Sequence, residues 1–176
     1  HVTHTLSPLS ASLKSFALDA EDMTIRRVRY KEKDILFDHS GDKLYITLDN
    51  EVGWSDTLNI RIDYTSFPRV GAFFVSPDEI YPDKPWQAWT QGEMTDNHHW
   101  VPMYDYPNER NTFEILLTVD KKLKAVSNGE LISVKDNSDG THTWHWHEHF
   151  PMVGYLMSFV VGEYVKIEDS YKDIPV

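Results

Sequence analysis

Histidine is the residue type in this chain best suited to metal or proton chemistry, and its nine copies are unevenly placed. His145, Glu148 and His149 spell His-x-x-Glu-His. On a helix the two imidazoles would share a face and hold one zinc, with the glutamate as base. The surrounding run, Thr141 to Phe150, alternates like a strand instead and is followed at once by Pro151. In a strand these two histidines stand ~13 Å apart, too far for ligands that must each approach a metal to ~2.0–2.1 Å. His145-x-His147 on one strand face, ~6.6 Å apart, would need a third ligand from a neighbouring strand. A polar histidine face opposite an apolar Trp144/Trp146 face is the plainer reading. His98-His99 could form a metal pair or a proton shuttle, but adjacent residues seldom converge on one site, which predicts a loop surface.

The second concentration of chemistry is the segment from Trp86 to Phe113, which holds three of the six tryptophans among amides and carboxylates. It is predicted to be neither strand nor helix but an ordered functional loop. Trp86, Trp89 and Trp100 could stack on a sugar, which makes a carbohydrate-binding or protein-scaffold module the alternative function. Taken alone, Glu93 is one of 28 acidic residues and reads as solvated surface. In Trp100-x-Pro102-x-x-Asp105-x-Pro107-x-x-Arg110 the prolines fix φ, and Asp105 is expected to hold the turn through nearby backbone or Arg110.

These residues must be positioned by strands. Residues 1 to 75 alternate with period two. A turn is expected at Asp19-Ala20-Glu21-Asp22, a strand from Ile25 to Tyr30, and a hairpin across His39 to Asp42. Another strand is expected from Asp56 to Tyr64, with Leu58, Ile60 and Ile62 on one face, and one at Ala72 to Val75. Beyond the loop, strands are predicted at Thr112–Val119, Leu131–Val134, Thr141–Phe150 and Tyr155–Val161. Asn128-Gly129 is taken as a hairpin turn because Asn-Gly accommodates positive φ. The fold class is all-β, a mostly antiparallel sandwich.

Bulk properties narrow the function further. The 17 basic and 28 acidic residues leave a net charge of −11, which argues against nucleic acid as a partner. Zero cysteines exclude disulfides and thiolate zinc sites. No apolar run reaches the ~20 residues of a membrane span. Compartment is not legible. The chain opens at His1 without an initiator methionine, as if mid-strand, and a fragment of a longer protein is expected. Residues 1–165 are assigned to one domain and the charged tail 166–176 to a linker.

The order of Thr90-Gln91-Gly92-Glu93, the Trp100 to Arg110 pattern, Ser127-Asn128-Gly129, Tyr155-Leu156 and Val161-Gly162-Glu163-Tyr164 resembles the N-terminal domain of the zinc aminopeptidases related to aminopeptidase N and leukotriene hydrolase. The resemblance implies a β-sandwich that docks on a thermolysin-like catalytic domain of the same parent chain, with two earlier strands preceding His1. It further implies that Glu93 binds the α-amine of a peptide substrate's N-terminus and that Gln91 lines the pocket for the first side chain. Gly92 would let backbone approach the substrate. Trp100, Pro102, Asp105, Pro107 and Arg110 are given a structural role. The chain contains no His-Glu-x-x-His and no Gly-x-Met-Glu-Asn. The zinc cofactor is therefore expected in the parent enzyme, with no catalytic or metal-ligating residue assigned here.

Overall fold

In the computed structural model, which describes His1–Pro175, the chain divides into two compact units that interleave in sequence. The first takes residues 1–73, 90–112 and 150–158; the second takes 74–89, 113–149 and the described chain from Phe159 onward. Antiparallel pairing dominates the sheets.

Seven strands build the first unit: β1 Val2–Leu6, β2 Leu13–Asp19, β3 Met23–Tyr30, β4 Lys33–Asp34, β5 Leu36–Ser40, β6 Lys43–Val52 and β7 Leu58–Ser66. They form two sheets, ordered β1-β7-β3-β4 and β2-β6-β5. Between them lie Leu18, Val28, Leu44, Ile46, Leu48, Leu58, Ile60 and Ile62 in one buried cluster. The alternate residues on the same strands face outward, so a two-residue period is enough to make a sandwich. The Asp19–Asp22 turn and the β5–β6 hairpin fall where predicted, with Ser40 opposite Lys43. Leu58, Ile60 and Ile62 are each 0–1% exposed. The strand predicted from Asp56 begins only at Leu58, because Asp56 is spent on the preceding turn: its Oδ2 accepts the Gly53 N–H.

The remaining strands are β8 Ala72–Val75, β9 Gln87–Thr90, β10 Arg110–Asp120, β11 Lys124–Ser127, β12 Glu130–Asp136, β13 Thr141–Val153, β14 Phe159–Gly162, β15 Ser170–Tyr171 and β16 Ile174–Pro175. β10-β13-β12 and β11-β14-β9-β8 are two further sheets. Three expectations are corrected here. Asn128-Gly129 closes no hairpin, since β11 pairs with β14 while β12 pairs with β13. Gly129 has φ +83°, and a Cβ there would lie 2.1 Å from the His147 carbonyl oxygen, so the glycine permits a close backbone crossing between sheets. The segment from Trp86 is not wholly irregular: β9 pairs with β14, Ala88 opposite Val161, and a short 3-10 helix spans Asn97–His99. Of the strand predicted over Tyr155–Val161, only the stretch from Phe159 is a paired strand; Gly154–Leu156 is a 3-10 turn. In the tail, β15 and β16 pair as a small ribbon, and Val176, the last residue of the predicted linker, lies outside the described residues.

Candidate functional site

Within the first unit, a buried amide ties the segment from Thr90 to Arg110 to the turn at Gly154–Met157. Asn97 is 0% exposed. Its Nδ2 donates to the carbonyl oxygens of Gly154 (2.8 Å) and Met157 (3.0 Å), and its Oδ1 accepts the Trp100 indole N–H (2.8 Å). An Asn can satisfy donors and acceptor at once, which is why an amide rather than a carboxylate suits this place. Gly92 abuts the same side chain: a Cβ on it would sit 2.4–2.6 Å from three Asn97 atoms. Gly92 also accepts the Asp96 N–H at 2.9 Å, and Gln91 donates its N–H to Gly71 at 2.9 Å. The backbone of the Gln91–Glu93 turn is thus pinned on both sides. Gly92 is buried, whereas Gln91 and Glu93 are exposed.

Downstream, Trp100 is half-buried, Pro102 and Asp105 are buried, and Pro107 and Arg110 are exposed. The Pro102 carbonyl accepts the His4 Nε2–H at 2.7 Å. Met103 and Asp19 exchange backbone hydrogen bonds of 2.9 and 2.7 Å, fixing the loop to the end of β2. Of the two partners expected for Asp105, backbone is the one used. Its Oδ2 accepts the His98 N–H (3.0 Å) and Nδ1–H (3.1 Å), and Asp105 is not paired with Arg110 among the described residues. Its own N–H donates to Asp19, which is ion-paired with Lys43.

His98 and His99 are not a loop surface, which corrects that expectation. The 3-10 helix stacks the two rings with centroids 4.6 Å apart, and His99 is 7% exposed. Both Nε2 atoms lie 3.8 Å from Glu21 Oε2, in the turn after β2. Each Nδ1–H meets a carboxylate: His98 that of Asp105 at 3.1 Å, His99 that of Asp22 at 2.9 Å. Arg69 closes the group, with Nε 2.7 Å from Asp22 Oδ1 and Nη2 3.0 Å from Glu21 Oε1. The hydrogen bond to Asp105 raises the His98 pKa against the opposing effect of burial. Burial pulls the Asp22 carboxyl upward, but the Arg69 backbone N–H, His99 and the Arg69 guanidinium together hold it below the usual carboxylate range. The sequence carried no local signal for Glu21, which is 77 residues from His98.

The β13 histidines lie on a strand, as predicted. His145 Nε2 is 2.9 Å from Glu114 in β10, and His149 Nε2 is 3.5 Å from Glu130 in β12. They are committed to different carboxylates and do not compose a His-x-x-Glu-His centre. With no His-Glu-x-x-His in the chain either, its residues do not fit the catalytic zinc of the resembled enzymes.

Comparison with known proteins agrees with this architecture. The chain is 26% identical over 167 residues to a probable aminopeptidase 1 of Saccharolobus solfataricus, an alignment covering 93% of this chain and 20% of that protein. It is 27% identical over 173 residues to leukotriene A-4 hydrolase of Xenopus laevis, covering 90% and 27% respectively. It therefore spans about a fifth to a quarter of these curated relatives. Its fold matches that of an M1 zinc metallopeptidase from Deinococcus radiodurans with a TM-score of 0.78 at 18% identity, over 91% of this chain and 36% of that one. The family model described as the peptidase M1 N-terminal domain matches residues 1–156. Sandwich, motif order and sequence match agree, and the chain belongs to the peptidase M1 N-terminal domain family.

Proposed function

We propose that this chain serves a zinc-dependent aminopeptidase as its non-catalytic N-terminal domain, presenting Glu93 to the α-amine of peptide substrates and Gln91 to their first side chain. The zinc and the hydrolytic residues belong to the catalytic domain on which it docks. One observation carries the reading: Gln91 and Glu93 project as exposed side chains from a turn whose middle residue, Gly92, is buried against Asn97. Such a base fixes the backbone from which the two polar side chains project, which lowers the cost of placing them on binding. A carboxylate facing a terminal ammonium gains a charge-assisted hydrogen bond of ~1.5–3 kcal/mol. An internal peptide bond brings no ammonium and leaves that charge unpaired, which favours exopeptidase action. Family membership does not favour the alternative of a stand-alone sugar- or protein-binding sandwich.

The test is Glu93→Gln in the full-length protein. It keeps shape and removes charge, and kcat/KM for aminoacyl substrates is expected to fall ~10- to 150-fold. Amine-bearing inhibitors should weaken in parallel, and N-acetylated ones should not. Glu109→Gln, an exposed loop carboxylate with no role assigned, serves as the control. Equal, near-wild-type rates for the two variants would remove Glu93 from the substrate site.

A further inference from the structure

We infer that Glu21, His98 and His99 form a binding site for one divalent ion of the zinc type. The inference is independent of the role proposed for Glu93. Among the described residues these three are the group whose metal-binding atoms, one per residue, all fall within 4.8 Å of one another. Their arrangement has three properties that a metal site requires.

The first is the state of the imidazoles. A carboxylate can only accept, so Asp105 and Asp22 fix a proton on each Nδ1. In its neutral form each ring, with its proton on Nδ1, turns a lone pair at Nε2 toward Glu21, and this is the form that binds a metal. Each such lone pair faces the same Glu21 carboxylate oxygen at 3.8 Å, a contact that is repulsive in this form and too distant to hydrogen-bond. A cation between them turns that repulsion into coordination. The second is distance. Metal–ligand bonds of ~2.0–2.1 Å set tetrahedral ligands roughly 3.3–3.5 Å apart. The two 3.8 Å Glu21–imidazole separations need a contraction of a few tenths of an ångström, within the reach of the half-exposed Glu21 side chain, and the two imidazole nitrogens, within 4.8 Å of each other, must close up as well. The third is the outer shell. Metal-bound histidines characteristically donate their other N–H to a carboxylate, and here both do. Arg69 holds Glu21 Oε1 and leaves Oε2 to the ion.

Charge points the same way. Glu21, Asp22, Asp105 and Asp19 are gathered here against Arg69 and Lys43. Asp105 is 2% exposed, and its Oδ1 has no hydrogen-bond partner among the described residues. A buried carboxylate wants a fixed positive neighbour, and an ion-bound His98 supplies one. Two imidazoles and one carboxylate suit zinc, cobalt or iron(II) rather than calcium or magnesium. The ion would clamp the turn after β2 to the 3-10 helix Asn97–His99, and so to the segment that carries Gln91 and Glu93.

The metal-free chain is titrated with zinc chloride by calorimetry near neutral pH, and with cobalt(II) by visible absorption. One ion per chain is expected, with cobalt bands of a low-symmetry nitrogen and oxygen site that zinc displaces. Glu21→Gln and His98→Gln should each weaken binding at least ~10-fold. Asp22→Asn, which keeps the shape of the outer shell but not its charge, should weaken it ~10- to 100-fold. His145→Ala should bind as wild type does. Because His98→Gln touches a buried network, circular dichroism is recorded for each variant, and if His98→Gln unfolds, Glu21→Gln at the surface decides the outcome. Absence of a stoichiometric heat and of cobalt bands, or equal affinity in wild type and Glu21→Gln, would overturn the site. The cluster would then be an imidazolium–carboxylate network held by protons alone.

Discussion

At the scale of single residues, the loop's stability depends on polar side chains that local pattern does not mark. His4 is the plainest case for a pH test. Burial lowers its pKa, although the hydrogen bond to the Pro102 carbonyl works the other way. A histidine whose folded pKa lies below its unfolded value takes up its proton first in the unfolded chain. Its contribution is therefore intact above the unfolded pKa of about 6.5 and is lost as pH falls below it. Other groups titrate over the same range, so the difference between wild type and His4→Gln isolates the effect. The stability advantage of wild type over His4→Gln, from urea unfolding, should shrink as pH is taken from about 7.5 to about 5. An advantage that is flat or grows toward acid would show that His4 is not held neutral against Pro102.

At the scale of elements, the same turn residues do different work according to what lies against them. Gly129 and Gly140 have nearly equal φ, +83° and +86°. Alanine at either position bears the left-handed penalty of roughly 1–2 kcal/mol. Gly140 ends the β12–β13 hairpin with nothing within 4 Å of a built Cβ. Gly129 lies where the chain passes from one sheet to another, and its Cβ would strike the His147 backbone at 2.1 Å. Gly129→Ala should therefore destabilise the protein at least twice as much as Gly140→Ala, read from the shift in denaturant midpoint. Equal shifts would mean that the crossing at β13 has room for a methyl group. The sequence marks both positions as turns, but not which has a backbone against it.

At the scale of the whole molecule, burial is unequal between the two units. The sandwich of β1 to β7 contains the contiguous cluster of fully buried aliphatics, whereas every residue of β12 is exposed. Opening free energy follows buried apolar contact, so amides of β6 and β7 should be the last to exchange with deuterium in native conditions. Those of β12 and of the β15–β16 ribbon should be among the first. Protection in β12 equal to that in β6 would contradict this ranking.

Family and fold class were legible in the sequence because both rest on short-range regularities. Alternation of apolar residues declares strands, and the run from Thr90 to Arg110 is contiguous in the chain. Strand partners were not legible where two strands adjacent in sequence join different sheets, because pairing is decided by what each buried face meets, not by the turn between them. Nor was the histidine cluster. Residue type singled out His98 and His99, but adjacency argued that they would diverge, and only a tight 3-10 turn brings the rings into register. Their third partner, Glu21, is one carboxylate among 28, chosen by a backbone hydrogen bond from its N–H to the His98 carbonyl at 3.1 Å. A contact between residues 21 and 98 depends on the docking of a distant loop on the end of β2, and that docking is a property of tertiary packing alone.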